Sequence, residues 1–183
     1  ARLTTAPGSG PKLVGVFSDR DAAEVAAIAA RLGLDAVQLH GVEPPEALDE
    51  IPLPVIKTLH LPPMGAGTTN PSAAASEILA RAEPYLAKPN LWIIMLDTAD
   101  PSVPGGTGKR AATDVAAAVA TRIPVILAGG LQAQNVRDAL LTVAAIGVDT
   151  AGGVEPLPVV GARPGARPLA QPPKPGRPPK DPV

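Results

Sequence analysis

No cysteine occurs anywhere in the 183 residues. Disulfides, thiolate metal sites and a cysteine nucleophile or base are therefore excluded. Histidine is nearly as scarce. His40 and His60 are the only two, and no His/Glu pair stands at ligand spacing, so no metal site is expected. Aromatics are limited to Phe17, Tyr85 and Trp92, which leaves Val, Leu, Ile and Ala to build a core. Neither sign of charge is in excess: the formal net charge is −1, and nothing invites nucleic acid as a partner. No apolar run approaches the roughly 20 residues of a membrane span, and the opening ARLTTAPGSGPK lacks the apolar core of a signal peptide. These absences lead to the expectation of a soluble, cytoplasmic protein with one domain, no cofactor, no membrane contact and no nucleic-acid partner.

What is present centres on Leu91 to Lys109, LWIIMLDTADPSVPGGTGK. An apolar run stops at one carboxylate, Asp97. A loop rich in Gly, Pro and Thr follows, ending Gly105-Gly106-Thr107-Gly108-Lys109. A short run that is apolar at every position suits a strand buried on both faces, as in a parallel sheet under helices. A carboxylate at the C-terminal end of such a strand is where α/β folds place chemistry. Taken alone, Asp97 also fits a capping role in the next turn. The loop is not a Walker motif, because Val103 stands where a Gly is needed and Arg110 where Ser or Thr is needed.

A strand followed by a helix recurs along the chain. Leu13–Phe17, Asp35–Leu39, Pro54–Leu59, Leu91–Leu96, Ile123–Leu127 and Ala145–Asp149 read as strands. Asp21 and Glu24 form a capping box before the apolar stripe Val25, Ile28, Ala29 and Leu32, which Gly33 ends. Pro44 and Pro45 open a short helix to Glu50. Further helices are expected at 73–82 with Ser72 as cap, at 114–121, and around Val136, Ala139, Leu140 and Val143. Six strands alternating with helices predict a parallel α/β sheet with right-handed crossovers. The strand ends His40, Asp97, Gly129-Gly130 and Gly152-Gly153 then share one face. The chain divides into a lead-in at 1–12, a folded part at 13–156 and a Pro- and basic-rich tail at 157–183. That tail reads as disordered, partly polyproline II.

The stretches LVGVF (13–17), LGLDAVQLHG (32–41), PVIK (54–57), MLDT with GGTGK (95–98, 105–109), PVILAGGLQAQNV (124–136) and GVDTAGGVE (147–155) carry a resemblance. In this order they resemble phosphoribosylanthranilate isomerase, the (βα)8-barrel family of tryptophan biosynthesis. The resemblance implies an incomplete TIM-type barrel of about six parallel strands. A family member begins with two further βα units. The first strand of those ends at a cysteine that acts as general base, and the second unit supplies an arginine that holds the anthranilate. Ala151-Gly152 replaces the family's serine pair, Arg110–Asp114 replaces an aromatic-acidic segment, and the proline-rich tail replaces the last helix.

By resemblance the reaction is an Amadori rearrangement of N-(5-phosphoribosyl)anthranilate to 1-(2-carboxyphenylamino)-1-deoxyribulose 5-phosphate. Asp97 is implied as the general acid that opens the ribose ring, which requires it to hold a proton near neutral pH, as desolvation at a barrel mouth favours. His40 and Asp149 are implied as substrate contacts. The phosphate is expected on the backbone amides of Gly129-Gly130, opening a helix at Gln132, and of Gly152-Gly153, opening a turn at Val154. Gly106, Thr107 and Gly108 are expected as a mobile flap, with Lys109 as a candidate charge partner. The alternatives are a non-catalytic remnant that binds a sugar phosphate, and a relative of indole-glycerol-phosphate synthase, against which LDAVQLHG argues. Two unpaired edges, at the strands of Leu13 and Ile146, favour self-association or complementation through an open seam.

Overall fold

The computed structural model describes residues 10–61, 70–97 and 106–154, with only the backbone path given for 106–111 and 152. The expected tail, the start of the lead-in, the stretch at 62–69 and the loop at 98–105 lie outside the described residues.

Six strands form one sheet: β1 (Val14–Phe17), β2 (Ala36–Leu39), β3 (Val55–His60), β4 (Leu91–Asp97), β5 (Val125–Ala128) and β6 (Gly147–Val148). They lie in sequence order and every pairing is parallel. Four helices alternate with them, α1 (Ala22–Leu32), α2 (Pro71–Leu86), α3 (Gly106–Ala120) and α4 (Val136–Val143), and a 3-10 turn spans Pro45–Glu50. Among the described residues, β1 and β6 are the two edges, as expected. No helix of the described residues is long and apolar enough to cross a membrane.

Local chemistry explains most boundaries. The Asp21 carboxylate accepts from the Glu24 amide at 3.1 Å and opens α1, and Gly33 closes it in the left-handed conformation at φ 63°. The expected cap of α2 is corrected. Asn70 rather than Ser72 accepts from the first free amides, those of Ser72 and Ala73, and Pro71 takes the first helical position, where no N–H is needed. Strand β5 starts at Val125, one residue past Pro124, which has no donor for the ladder.

Alternation along the strands separates two faces. Val37, Leu39, Val55, Leu59, Ile94, Leu96, Val125 and Leu127 pack with Val25, Ala29, Ile78, Ala82, Val115 and Val119 of the helices in the main core. The opposite face has its own smaller cluster of Ile56, Ile93, Met95 and Ala128, joined by Val14 and Ile126, all from strands. Helices thus cover one side of the sheet, and the other side packs strand against strand, as the inside of a barrel does. Trp92, read as part of a doubly buried run, is 57% exposed instead.

Candidate active site

All strands run the same way, so their C-terminal ends form one rim, and the inner face is polar there. Gln38 on β2 and Thr58 on β3 are buried beside Met95 on β4. The Gln38 amide nitrogen lies 3.2 Å from the Thr58 hydroxyl and 3.4 Å from the Met95 sulfur. One step further up the same face come His40, His60 and Asp97. In the β3–β4 register His60 is level with Asp97, and in β4–β5 Asp97 is level with Ala128, the residue before Gly129.

The three titratable groups meet closely. Asp97 Oδ2 lies 3.7 Å from His40 Nε2 and 3.6 Å from His60 Nδ1. The two imidazoles stack edge to face, with centroids 4.7 Å apart. His60 Nε2 donates to the His40 backbone carbonyl at 2.8 Å. Asp97 is well covered, at 14% side-chain exposure, and both histidines are partly open. The sequence brings His40 and Asp97 to one rim as strand ends, and the structure adds His60 to them. The available signal was its even spacing from Ile56 and Thr58, which puts it on the inner face of β3. The fold also builds from three strand ends a His–His–Asp group that no sequence spacing displays.

Beneath His40, on the helix side of the sheet, sits a buried ion pair. Lys57 Nζ lies 2.7 Å from Glu43 Oε2 and donates to the Gly41 carbonyl, also at 2.7 Å. The second Glu43 oxygen accepts from the amides of Asp19, at 2.8 Å, and Gly41, at 3.1 Å. Tyr85 of α2 donates to the Glu43 carbonyl at 2.7 Å. Burial pushes the Glu43 carboxyl up, but the Lys57 and Asp19 hydrogen bonds outweigh it and hold the carboxyl below its ordinary range. Burial, and then the charge of Glu43, push the Tyr85 hydroxyl up. The loop that follows His40 is therefore anchored from below by a satisfied pair.

The glycine turns lie further round the rim. Gly129 and Gly130 adopt φ 100° and 62°, which side chains disfavour. Asp149 is exposed, and its amide donates to Leu127 at 2.9 Å. Thr150 donates to the Leu131 carbonyl at 2.8 Å, and a Cβ on Gly153 would collide with that same carbonyl. The two glycine turns therefore touch.

Two expectations about backbone are corrected. Helix α4 begins at Val136, not Gln132. The Gln132 amide is taken by the Asn135 side chain at 2.8 Å, and a turn precedes the helix. Gly106, Thr107, Gly108 and Lys109 lie within α3 rather than in a loop, because the helix starts eight residues before Asp114. Gly152 and Gly153 open a single 3-10 turn ending at Val154, as expected.

Known proteins resemble this chain in sequence and in fold. The family model for N-(5'-phosphoribosyl)anthranilate (PRA) isomerase matches residues 1–157. The isomerase of Desulforudis audaxviator is 41% identical over 142 residues, covering 78% of this chain and 63% of the relative. The chain thus spans less than two thirds of that relative's length. The isomerase structure from Pyrococcus furiosus superposes with a TM-score of 0.66 at 29% identity, over 82% of this chain and 68% of that one. A further PRA isomerase structure, in complex with reduced 1-(o-carboxyphenylamino)-1-deoxyribulose 5-phosphate, gives 0.58 at 28% identity over 80% and 63%. The six parallel strands are the curled part-barrel of these TIM-barrel enzymes. By sequence profile and by architecture, this chain belongs to the PRA isomerase family.

Proposed function

We propose that this chain carries the general-acid and phosphate-binding side of a PRA isomerase, acting in the cytoplasm in tryptophan biosynthesis. Residues 13–156 are the barrel portion, and 157–183 stand outside it. The observation that supports this most directly is the common rim. The Asp97 carboxylate closes β4, level with Ala128, and the Gly129-Gly130 turn begins at the next residue.

In this reading Asp97 donates its proton to the ribose ring oxygen and the C1′–O bond opens. A base then removes the C2′ proton, and the resulting enol collapses to the 1-amino-1-deoxyketose. His40, beside Asp97, and Asp149 contact the substrate. The 5′-phosphate sits against the backbone amides of Gly129, Gly130, Gly152 and Gly153. Gly106, Thr107 and Gly108 approach the substrate as the first turn of α3, whose free amides face an anion favourably. A family structure holds reduced 1-(o-carboxyphenylamino)-1-deoxyribulose 5-phosphate, whose phosphate is the group these amides suit. The base is expected from the first βα unit of a complete barrel.

The test is an isomerisation assay of this chain with and without a polypeptide carrying the first two βα units of a PRA isomerase. Turnover in the mixture supports the proposal. No turnover in either, with sugar phosphate still bound, leaves only the non-catalytic binding role.

A further inference from the structure

We propose that His40, His60 and Asp97 form a three-ligand site for one divalent transition-metal ion of the zinc or cobalt class. This rests on geometry and donor chemistry, and not on the isomerase reading.

The three ligand atoms all lie within 4.8 Å of one another, and Asp97 Oδ2 is 3.6 and 3.7 Å from the two imidazole nitrogens. A tetrahedral ion with bonds of about 2.0–2.1 Å needs ligand separations of about 3.3 Å. The carboxylate–imidazole distances are thus a few tenths of an ångström from coordination. The edge between the two imidazole nitrogens, bounded at 4.8 Å, has to close by rotation of the rings, which the partial exposure of both histidines permits. Each ligand ends a different strand, and β2, β3 and β4 are adjacent in register, so rigid elements hold the set. Two imidazoles and one carboxylate suit zinc, cobalt, nickel or iron, whereas magnesium and calcium prefer all-oxygen sites. Three protein ligands leave a fourth position open on the barrel side.

The hydrogen bond on the far side of His60 favours the required tautomer. A carbonyl oxygen only accepts, so the 2.8 Å contact to His40 puts the His60 proton on Nε2. In the neutral ring the lone pair is then on Nδ1, the atom facing Asp97. A backbone carbonyl holding the far nitrogen in this way is the usual outer support of a metal-bound histidine. For His40 the corresponding partner is Gln38, whose amide end lies 3.3 Å from Nδ1. As it stands the amide nitrogen donates and leaves the His40 proton on Nε2. Coordination through Nε2 requires the amide to turn, so that its oxygen accepts from Nδ1–H and from the Thr58 hydroxyl and its contact to the Met95 sulfur is given up. A bound cation favours the ionised carboxylate, so metal binding and proton donation by Asp97 oppose each other.

The experiment titrates Co2+ into the chain without a polyhistidine tag, reading visible absorption and the ring 15N signals. His40 and His60 are the only histidines, so every imidazole signal belongs to the site. The expected result is saturation at one equivalent, with both rings perturbed together and d–d bands of a low-symmetry site. His60→Asn and Asp97→Asn should each weaken Co2+ binding about tenfold or more, the loss seen even for outer-shell changes. Zn2+ should displace Co2+. Perturbation of one ring alone, or absence of saturation, overturns the site in the unaltered chain. Unchanged affinity in both folded variants overturns it independently.

Discussion

Lys57 Nζ lies 2.7 Å from Glu43 Oε2, and both side chains are almost wholly withdrawn from solvent. Each is further satisfied, Lys57 by the Gly41 carbonyl and Glu43 by two backbone amides. Removing one partner leaves the other charge buried without compensation. Lys57→Met is expected to cost about 3–5 kcal/mol, and Lys57→Met with Glu43→Leu considerably less. Urea unfolding of the two variants checks this. Equal losses would contradict it.

The same pair gives a pH dependence of known sign. Glu43 is held below its ordinary value of 4.5 in the folded chain. A carboxyl lowered by folding adds stability above its unfolded value and loses it as pH falls through the folded one. The urea midpoint should therefore decline as pH drops below about 4.5, and decline less in the Lys57→Met/Glu43→Leu variant. Identical acid profiles would show that the pair is not the source.

Two glycines of the rim should respond differently. A Cβ at Gly153 meets the Leu131 carbonyl and the Thr150 hydroxyl, and backbone cannot yield cheaply. Gly153→Ala should cost about 1–3 kcal/mol and weaken sugar-phosphate binding. Gly130→Ala meets no atom within 4 Å but carries the left-handed φ of 62°, so strain of about 1–2 kcal/mol is expected. Denaturation curves give both costs, and a tolerated Gly153→Ala would contradict the close contact with the Leu131 carbonyl.

For the chemistry, Asp97→Asn keeps the shape of the side chain and removes the proton donor. In the assay with the first two βα units supplied, kcat should fall about 10²–10⁴-fold, the range of a general acid. An effect under tenfold would assign the acid elsewhere.

Periodicity and capping chemistry made much of the fold legible. Asp21, Gly33 and the strand runs behave as local rules require, because each depends on neighbours within one turn. The errors also have local causes. Ser72 and Asn70 are both good caps, and the sequence does not rank them. Glycine's poor helix propensity pointed away from a helix at Gly106. The site was half visible. Asp97 and His40 stand at strand ends, but that His60 is level with Asp97 depends on the register between strands. The Lys57–Glu43 pair joins a strand to a loop 14 residues away, which no periodicity encodes.

The central claim is that Asp97 and the two glycine turns form one phosphosugar pocket. It is tested most directly by titrating ribose 5-phosphate into the labelled chain and following backbone amides. Saturable shifts at Gly129, Gly130 and Gly153, together with the His40 ring, are predicted. Amides that stay still while the chain is folded, or shifts confined to the opposite end of the strands, would contradict it.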